Sequence, residues 1–260
     1  MEHHRERLYR TDCIIIRRID LGEADRVLTL YTPRRGKLRA VAKGVRRPES
    51  HLGGNLELFV QANVLLAKGR DLDIVTQAEM LDAFKGMRSD LVRLQAAFYF
   101  GELLDGLAAE ELPNEPAYAL LRDCLAALAA GADPAALARF YEFRLLGLMG
   151  YRLEVGQCLQ CRRPLEPVVN ALSIAGGGVL CPACQATDPA ARPLSVNALK
   201  VLRLIIREPL AALLRYRLPA ALQAELEAIG HAWVREPLER EPRSWAAFTT
   251  TLREAAGPRE

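Results

Sequence analysis

Alternation of apolar and polar residues governs the first 82 residues, and helical spacing governs most of the rest. Cys13-Ile-Ile-Ile is a β-branched run that ends in Arg17-Arg18, and Arg26-Val-Leu-Thr-Leu-Tyr-Thr runs to Pro33. After a turn at Arg34-Arg35-Gly36, the stretch Lys37–Lys43 alternates cleanly. Leu38, Ala40 and Ala42 share one face, and Lys37, Arg39, Val41 and Lys43 the other. A loop from Gly44 to Asn55 precedes a strand expected from Leu56 to Ala67, and Leu72–Met80 follows the turn Lys68-Gly69-Arg70. Five short strands separated by glycine-bearing turns predict a small closed barrel. The OB-fold is the natural five-stranded candidate, and an SH3-like barrel is the alternative on pattern alone.

Past residue 82 the chain becomes rich in Ala and Leu. Ser89 stands where an N-cap belongs, and Leu91, Leu94, Phe98, Leu103 and Leu107 trace one helical face. A second helix is expected from Pro116 to about Ala130. Asp133-Pro134 opens a third that stops at Gly150, with Pro at the first helical position. Helical signal lapses over 151–192 and resumes at Ser195–Arg207, Leu218–Arg235 and Ser244–Ala255, before a short tail, Gly257–Glu260, expected to fray. The expected architecture is α+β and multidomain. It comprises a barrel over 1–82, a helical bundle from 83–150 and 193–256, and a module at 151–192 inserted into that bundle.

The inserted module contains the sharpest chemical signal. Cys158, Cys161, Cys181 and Cys184 form two Cys-x-x-Cys pairs, with nineteen residues between them. Each pair puts two sulfurs on one side of a tight turn, and two such turns can supply the four corners of a tetrahedron, the geometry Zn²⁺ prefers in closed structural sites. Gly176-Gly177-Gly178 provides the chain reversal between them. One structural Zn²⁺ per chain is expected, in a zinc-ribbon-like insertion with four cysteine ligands. Redox-active dithiols would want a βαβ context that is missing here, and structural disulfides would want an oxidising compartment. With all four positions filled by protein, no ligand site is left for a catalytic water. Cys13 and Cys124 lie in apolar stretches and read as buried small hydrophobes.

Half the residues are hydrophobic, enough for a packed core. No run of about 18 apolar residues offers a membrane span, and the charged N-terminus lacks a signal-like apolar stretch, so the cytoplasm is the expected location. The net charge of +3 is unevenly placed. Residues 1–82 carry 15 Lys/Arg against 12 Asp/Glu, and the remainder carries 20 of each. Arg34, Arg35, Lys37, Arg39, Lys43, Arg46 and Arg47 fall within fourteen residues that contain no acid. Such a cluster on a small barrel suits a phosphate backbone, and a solvated face that merely keeps the domain soluble is the alternative. Tyr31 reads equally as core or as a stacking platform, and Phe59 as core. Lys200, Arg203 and Arg207 share one helical face, followed by Arg215 and Arg217. They offer an auxiliary contact for DNA or an acidic peptide, or an ordinary amphipathic surface.

Catalytic constellations are missing: there is no Walker A loop, Gly-x-Gly-x-x-Gly or Gly-x-Ser-x-Gly elbow. Glu23 and Asp25 are spaced to chelate Mg²⁺ in a nuclease, but a two-metal site needs more carboxylates, and a surface pair in a turn is the simpler reading. No enzyme is expected.

Two groups of motifs resemble a known family. The first is Gly22-Glu-Ala-Asp-Arg26, Leu30-Tyr-Thr32, Gly36-Lys-Leu38 and Val41-Ala-Lys-Gly-Val-Arg-Arg47; the second is Gly150-Tyr151 leading into the cysteine pairs. Together, and across nearly the whole chain, they resemble the RecO family of bacterial recombination mediators. Leu153 stands where family members commonly carry Pro. The resemblance implies an OB-fold, a helical bundle and a zinc-binding insertion, with the metal serving the fold, since some relatives lack the cysteines. It also implies binding to single- and double-stranded DNA, annealing of complementary strands, partnership with RecR and with the acidic tail of single-strand binding protein, and help in loading RecA. A nucleoid-associated cytoplasmic protein is thus expected, with phosphate contacts at Arg34, Arg35, Lys37, Arg39, Lys43, Arg46 and Arg47. The competing expectation is an adaptor whose zinc module and helices dock partners without touching DNA.

Overall fold

The computed structural model describes residues 7–255. The expected frayed tail, Gly257–Glu260, lies outside them. The chain divides into two compact units between Gly131 and Ala132.

The first unit is built on five strands: β1 (Leu8–Leu21), β2 (Asp25–Thr32), β3 (Gly36–Ala42), β4 (Gln61–Ala67) and β5 (Asp73–Asp82). They close into a barrel in the order β1-β2-β3-β5-β4, with β4 returning to β1. All pairings are antiparallel except the short parallel contact of β3 with β5, where Ala40 opposes Asp73 and Val41 opposes Ile74. This is the OB-fold arrangement, the first of the two expected barrels. The predicted alternation holds on β3, where Leu38, Ala40 and Ala42 are buried while Arg39 is exposed. Inward-facing Cys13, Ile15, Leu28, Leu30, Val64, Leu66 and Val75 join them in the core.

The fourth strand begins later than its apolar run suggests. Gly54–Leu56 forms a single 3-10 turn, and Phe59 adopts a left-handed backbone (φ 58°), so extended structure resumes only at Gln61. Leu56 and Val60 reach the barrel core from this loop. Three helices complete the unit: α1 (Lys85–Arg88), α2 (Leu91–Leu107) and α3 (Glu115–Ala129). The cap of α2 is Asp90, one residue after the expected Ser89; its carboxylate accepts the Arg93 N–H at 3.1 Å. Gly101 lets α2 approach the barrel closely, because a Cβ there would lie 2.8 Å from the Phe59 ring. Phe59 also meets Phe98 edge to face, with ring centroids 5.2 Å apart. Beyond α2 the chain crosses the end of β3: the Glu111 N–H donates to the Lys37 carbonyl at 2.9 Å. Gly36 (φ 64°) makes room for this crossing, since a Cβ there would stand 2.0 Å from the Leu112 carbonyl oxygen.

The second unit holds α4 (Pro134–Leu148), α5 (Val196–Arg207), α6 (Leu210–Leu213), α7 (Ala220–Leu238) and α8 (Arg243–Ala255). Between α4 and α5 lies a three-stranded sheet of β6 (Asn170–Ser173), β7 (Gly178–Leu180) and β8 (Arg192–Leu194), with β6 central. The expected cap Asp133 stands ahead of Pro134 on α4, and Ser195, where the helical signal was expected to resume, caps α5. Glu225 of α7 accepts both the Ser195 N–H, at 2.8 Å, and its hydroxyl, at 2.7 Å, tying the start of α5 to α7. Arg144 of α4 donates to the carbonyls of Ile206, at 2.7 Å, and Glu208, at 3.0 Å, satisfying carbonyls at the other end of α5.

Candidate metal centre and nucleic-acid interface

The sheet of the second unit brings the two cysteine pairs together. Leu159 N–H donates to the Val179 carbonyl at 2.9 Å, laying the first Cys-x-x-Cys turn against β7, from which Cys181 continues. The three glycines before it are sterically required. Gly177 has φ 76°, a Cβ on Gly176 would meet the Ser173 hydroxyl at 2.5 Å, and one on Gly178 the Glu154 carbonyl oxygen at 2.8 Å. Arg203 of α5 then grips the first turn from both flanks, donating to the carbonyls of Val155 at 2.8 Å and Leu165 at 3.2 Å.

As a result the ligand atoms of Cys158, Cys161, Cys181 and Cys184 all lie within 4.8 Å of one another. The Cys161 and Cys181 sulfurs are 3.8 Å apart. A tetrahedron with metal–sulfur bonds of about 2.3 Å has edges of about 3.8 Å, so the donor set fits a four-thiolate metal, and four cysteines that could hold one ion converge on a point. Local hydrogen bonds favour thiolate at two of them. The Arg163 guanidinium, 3.5 Å from the Cys161 sulfur, brings that thiol down to about 6. Burial pushes Cys158 up, but backbone N–H groups led by that of Cys181, at 3.4 Å, outweigh it and lower its pKa. Cys184, hydrogen-bonded to Cys181, is pushed up to about 12.

On the barrel, the seven clustered cations divide by environment. Arg34, Arg39, Lys43 and Arg47 are exposed and have no ion-pair partner among the described residues. Lys37 is committed: its ammonium donates to the Asp105 carbonyl at 2.6 Å and lies 3.5 Å from the Asp105 carboxylate. Arg46 binds the Gly22 carbonyl at 3.2 Å and the Asp20 carboxylate at 3.5 Å. Arg35 lies over the Tyr9 ring, 4.0 Å from its centre, with its edge still exposed. The turn between β4 and β5 adds a residue that the sequence reading left out, since Lys68 stands 5.6 Å from the same ring. Tyr31 and Phe59 are both fully buried, which settles Tyr31 as core.

The two densest sequence motifs touch each other. The Asp25 carboxylate accepts the Gly44 N–H at 2.7 Å, and the Ala24 carbonyl accepts the Arg46 N–H at 3.0 Å. Gly22 (φ 57°) and Gly44 (φ 63°) both occupy the left-handed region that these turns need. Asp25 is therefore a clasp between the β1–β2 turn and the loop that carries Arg46 and Arg47, while Glu23 points to solvent without a partner among the described residues. In the second unit Lys200 and Arg207 are exposed, whereas Arg203 is spent on the cysteine module.

Family comparisons divide the chain just after the last barrel strand. A model described as recombination protein O, N terminal, matches residues 6–84, and one described as recombination protein O, C terminal, matches residues 88–246. The chain belongs to the RecO family. A RecO from Roseiflexus sp. (strain RS-1), named as a DNA repair protein, is 45% identical over 242 residues, covering 93% of this chain and 85% of the relative. RecO relatives from Desulforudis audaxviator (42% identity; 92% of this chain and 95% of the relative) and Dehalococcoides mccartyi strain CBDB1 (36%; 91% and 93%) carry the same name. Membership places the chain among DNA repair and recombination proteins. In this RecO chain no helix among the described residues is long and apolar enough to cross a membrane.

The clasp predicts a difference between two neighbouring carboxylates. Asp25→Ala should destabilise the protein by about 1–2 kcal/mol by leaving the Gly44 N–H without its charged acceptor, and Glu23→Ala should stay within about 0.5 kcal/mol of the parent. Urea unfolding of the two variants checks this; equal effects would show that Asp25 does not hold the loop.

Proposed function

We propose that this protein is a recombination mediator that binds single- and double-stranded DNA through the outer face of its barrel and anneals complementary strands. Family membership supports the repair role. One observation carries the mechanism, namely that four exposed cations with neither an acid nor an aromatic ring as partner among the described residues follow β3 from end to end. Arg34 lies on the turn before the strand, Arg39 at its middle, and Lys43 and Arg47 beyond its end. Seven residues of extended chain span about 20 Å, so the row runs beside several phosphates of a bound strand. Each neutralised phosphate releases condensed counterions, which gives affinity without reading sequence. A protein that lowers the repulsion between two polyanions promotes their pairing, and nothing in that role requires a catalytic residue.

On this reading the partners are DNA, RecR and the acidic tail of single-strand binding protein, and the outcome is RecA loaded on DNA in the bacterial cytoplasm, at the nucleoid. The four cysteines hold one structural Zn²⁺. When bound, the ion cross-links the two turns; Arg163 offsets part of the negative charge of four thiolates, and Arg203 keeps the first turn seated on α5.

Replacing Arg34, Arg39, Lys43 and Arg47 together with Gln should weaken binding to duplexes of any sequence. It should also flatten the dependence of log affinity on log salt by up to about 3–4. Fluorescence anisotropy across a salt series reads both, and an unchanged slope would move DNA contact off this face, leaving the barrel as a scaffold for a docking adaptor. For the metal, zinc analysis should return one ion per chain. A strong chelator should lower the melting temperature of the parent protein but not that of Cys158→Ser. Zinc-free protein that melts at the same temperature would overturn the metal assignment.

A further inference from the structure

Proteins that hold single strands without sequence preference pair cations with aromatic rings on which unstacked bases rest. The barrel of this chain offers the first without the second: Tyr9 is 8% exposed, Tyr31 0% and, on the loop before β4, Phe59 1%. The most exposed aromatic ring among the described residues lies in the other unit. Tyr216 is 60% exposed, on the connection from α6 to α7, between Arg215 and Arg217, which are both exposed as well. Neither guanidinium has a hydrogen-bond or ion-pair partner among the described residues, and from Pro209 to Ala224 the chain contains no Asp or Glu.

The connection is short and pinned at both ends. The Tyr216 N–H donates to the Leu213 carbonyl at 3.1 Å, and the Gln223 side-chain amide donates to the Leu218 carbonyl at 3.0 Å. Pro219 then starts α7, with its carbonyl accepting the Gln223 N–H at 3.0 Å. A singly exposed tyrosine is ordinary on a protein surface. A tyrosine flanked in sequence by two exposed, uncommitted arginines, on an anchored loop free of acids, is more specific. It complements a polyanion whose bases are unstacked, and it gives less to a duplex, whose bases already stack on one another.

We propose that Arg215, Tyr216 and Arg217 form a contact site for single-stranded nucleic acid, with one unpaired base stacked on Tyr216 and its flanking phosphates paired to the two arginines. The inference rests on the nucleic-acid reading above and places a contact specific to single strands outside the barrel. Anisotropy of full-length protein with oligothymidylate and with a blunt duplex of equal length tests it. Tyr216→Ala should weaken oligothymidylate binding about 5- to 150-fold, the range for loss of one stacked base, with salt slope and duplex affinity kept; Tyr216→Phe should bind as the parent does. Arg215→Gln with Arg217→Gln should lower the single-strand salt slope by up to about 1.4. Parental affinity of Tyr216→Ala for oligothymidylate, or equal loss on both DNAs, would overturn the site. If the parent protein binds neither DNA, the functional reading fails and this site with it. If the parent binds both and only the β3 cations matter, this site alone fails.

Discussion

Barrel closure is the constraint on which the proposed nucleic-acid face depends. Once β1 to β5 close, every second residue of β3 must point either into a filled interior or out of it. Leu38, Ala40 and Ala42 fill the inside, so Arg39 has nowhere to go but outward. Closure by itself does not make a binding surface, because a cation that finds a carboxylate nearby is largely neutralised. The pairing of Lys37 with Asp105 of α2, and of Arg46 with Asp20 of β1, removes two charges from the row. What remains, Arg34, Arg39, Lys43 and Arg47 together with Arg35 over the Tyr9 ring, is spaced along the strand and beyond both its ends. Asp25 matters here because its bond to Gly44 holds the loop from which Arg47 projects.

The second unit meets a different constraint. Its inserted sheet has strands of only four, three and three residues, too little apolar surface for a segment of this size to secure its own fold. Two devices compensate. The four sulfurs converge where one ion can join both turns, and Arg203 ties the first turn to α5 through two backbone carbonyls. The glycine triplet is part of the same construction, since side chains at Gly176 or Gly178 would collide with the segments it brings together. A metal held there would take every ligand from the protein, as an architectural site does.

Much of this was legible in the sequence where the information is local. The alternation of Leu38, Ala40 and Ala42 located the inner face of β3, and the two Cys-x-x-Cys pairs identified the cluster. Asp133-Pro134 and Ser195 announced helix starts that the fold uses. Long-range contacts were the part that could not be read. Nothing near Lys37 announces Asp105, sixty-eight residues away, and Arg203 looks like one more exposed cation on a helix until the carbonyls of Val155 and Leu165 arrive beside it. The late start of β4 has a similar cause. Leu56 and Phe59 are apolar because they cover the barrel and meet α2, and an apolar run built for that purpose cannot be told from a buried strand by pattern. The family motifs lie in between: their residues were visible, but their purpose, one turn clasping another through Asp25, Gly44, Ala24 and Arg46, appears only in three dimensions.

The proposed role is that free positive charge on the barrel brings complementary strands together without nucleotide hydrolysis. Its most direct test is the annealing rate of two labelled complementary oligonucleotides with purified protein, in the absence of ATP, over a salt series. The account predicts acceleration at low salt that fades steadily as salt rises. No acceleration at low salt, or acceleration indifferent to salt, would contradict it.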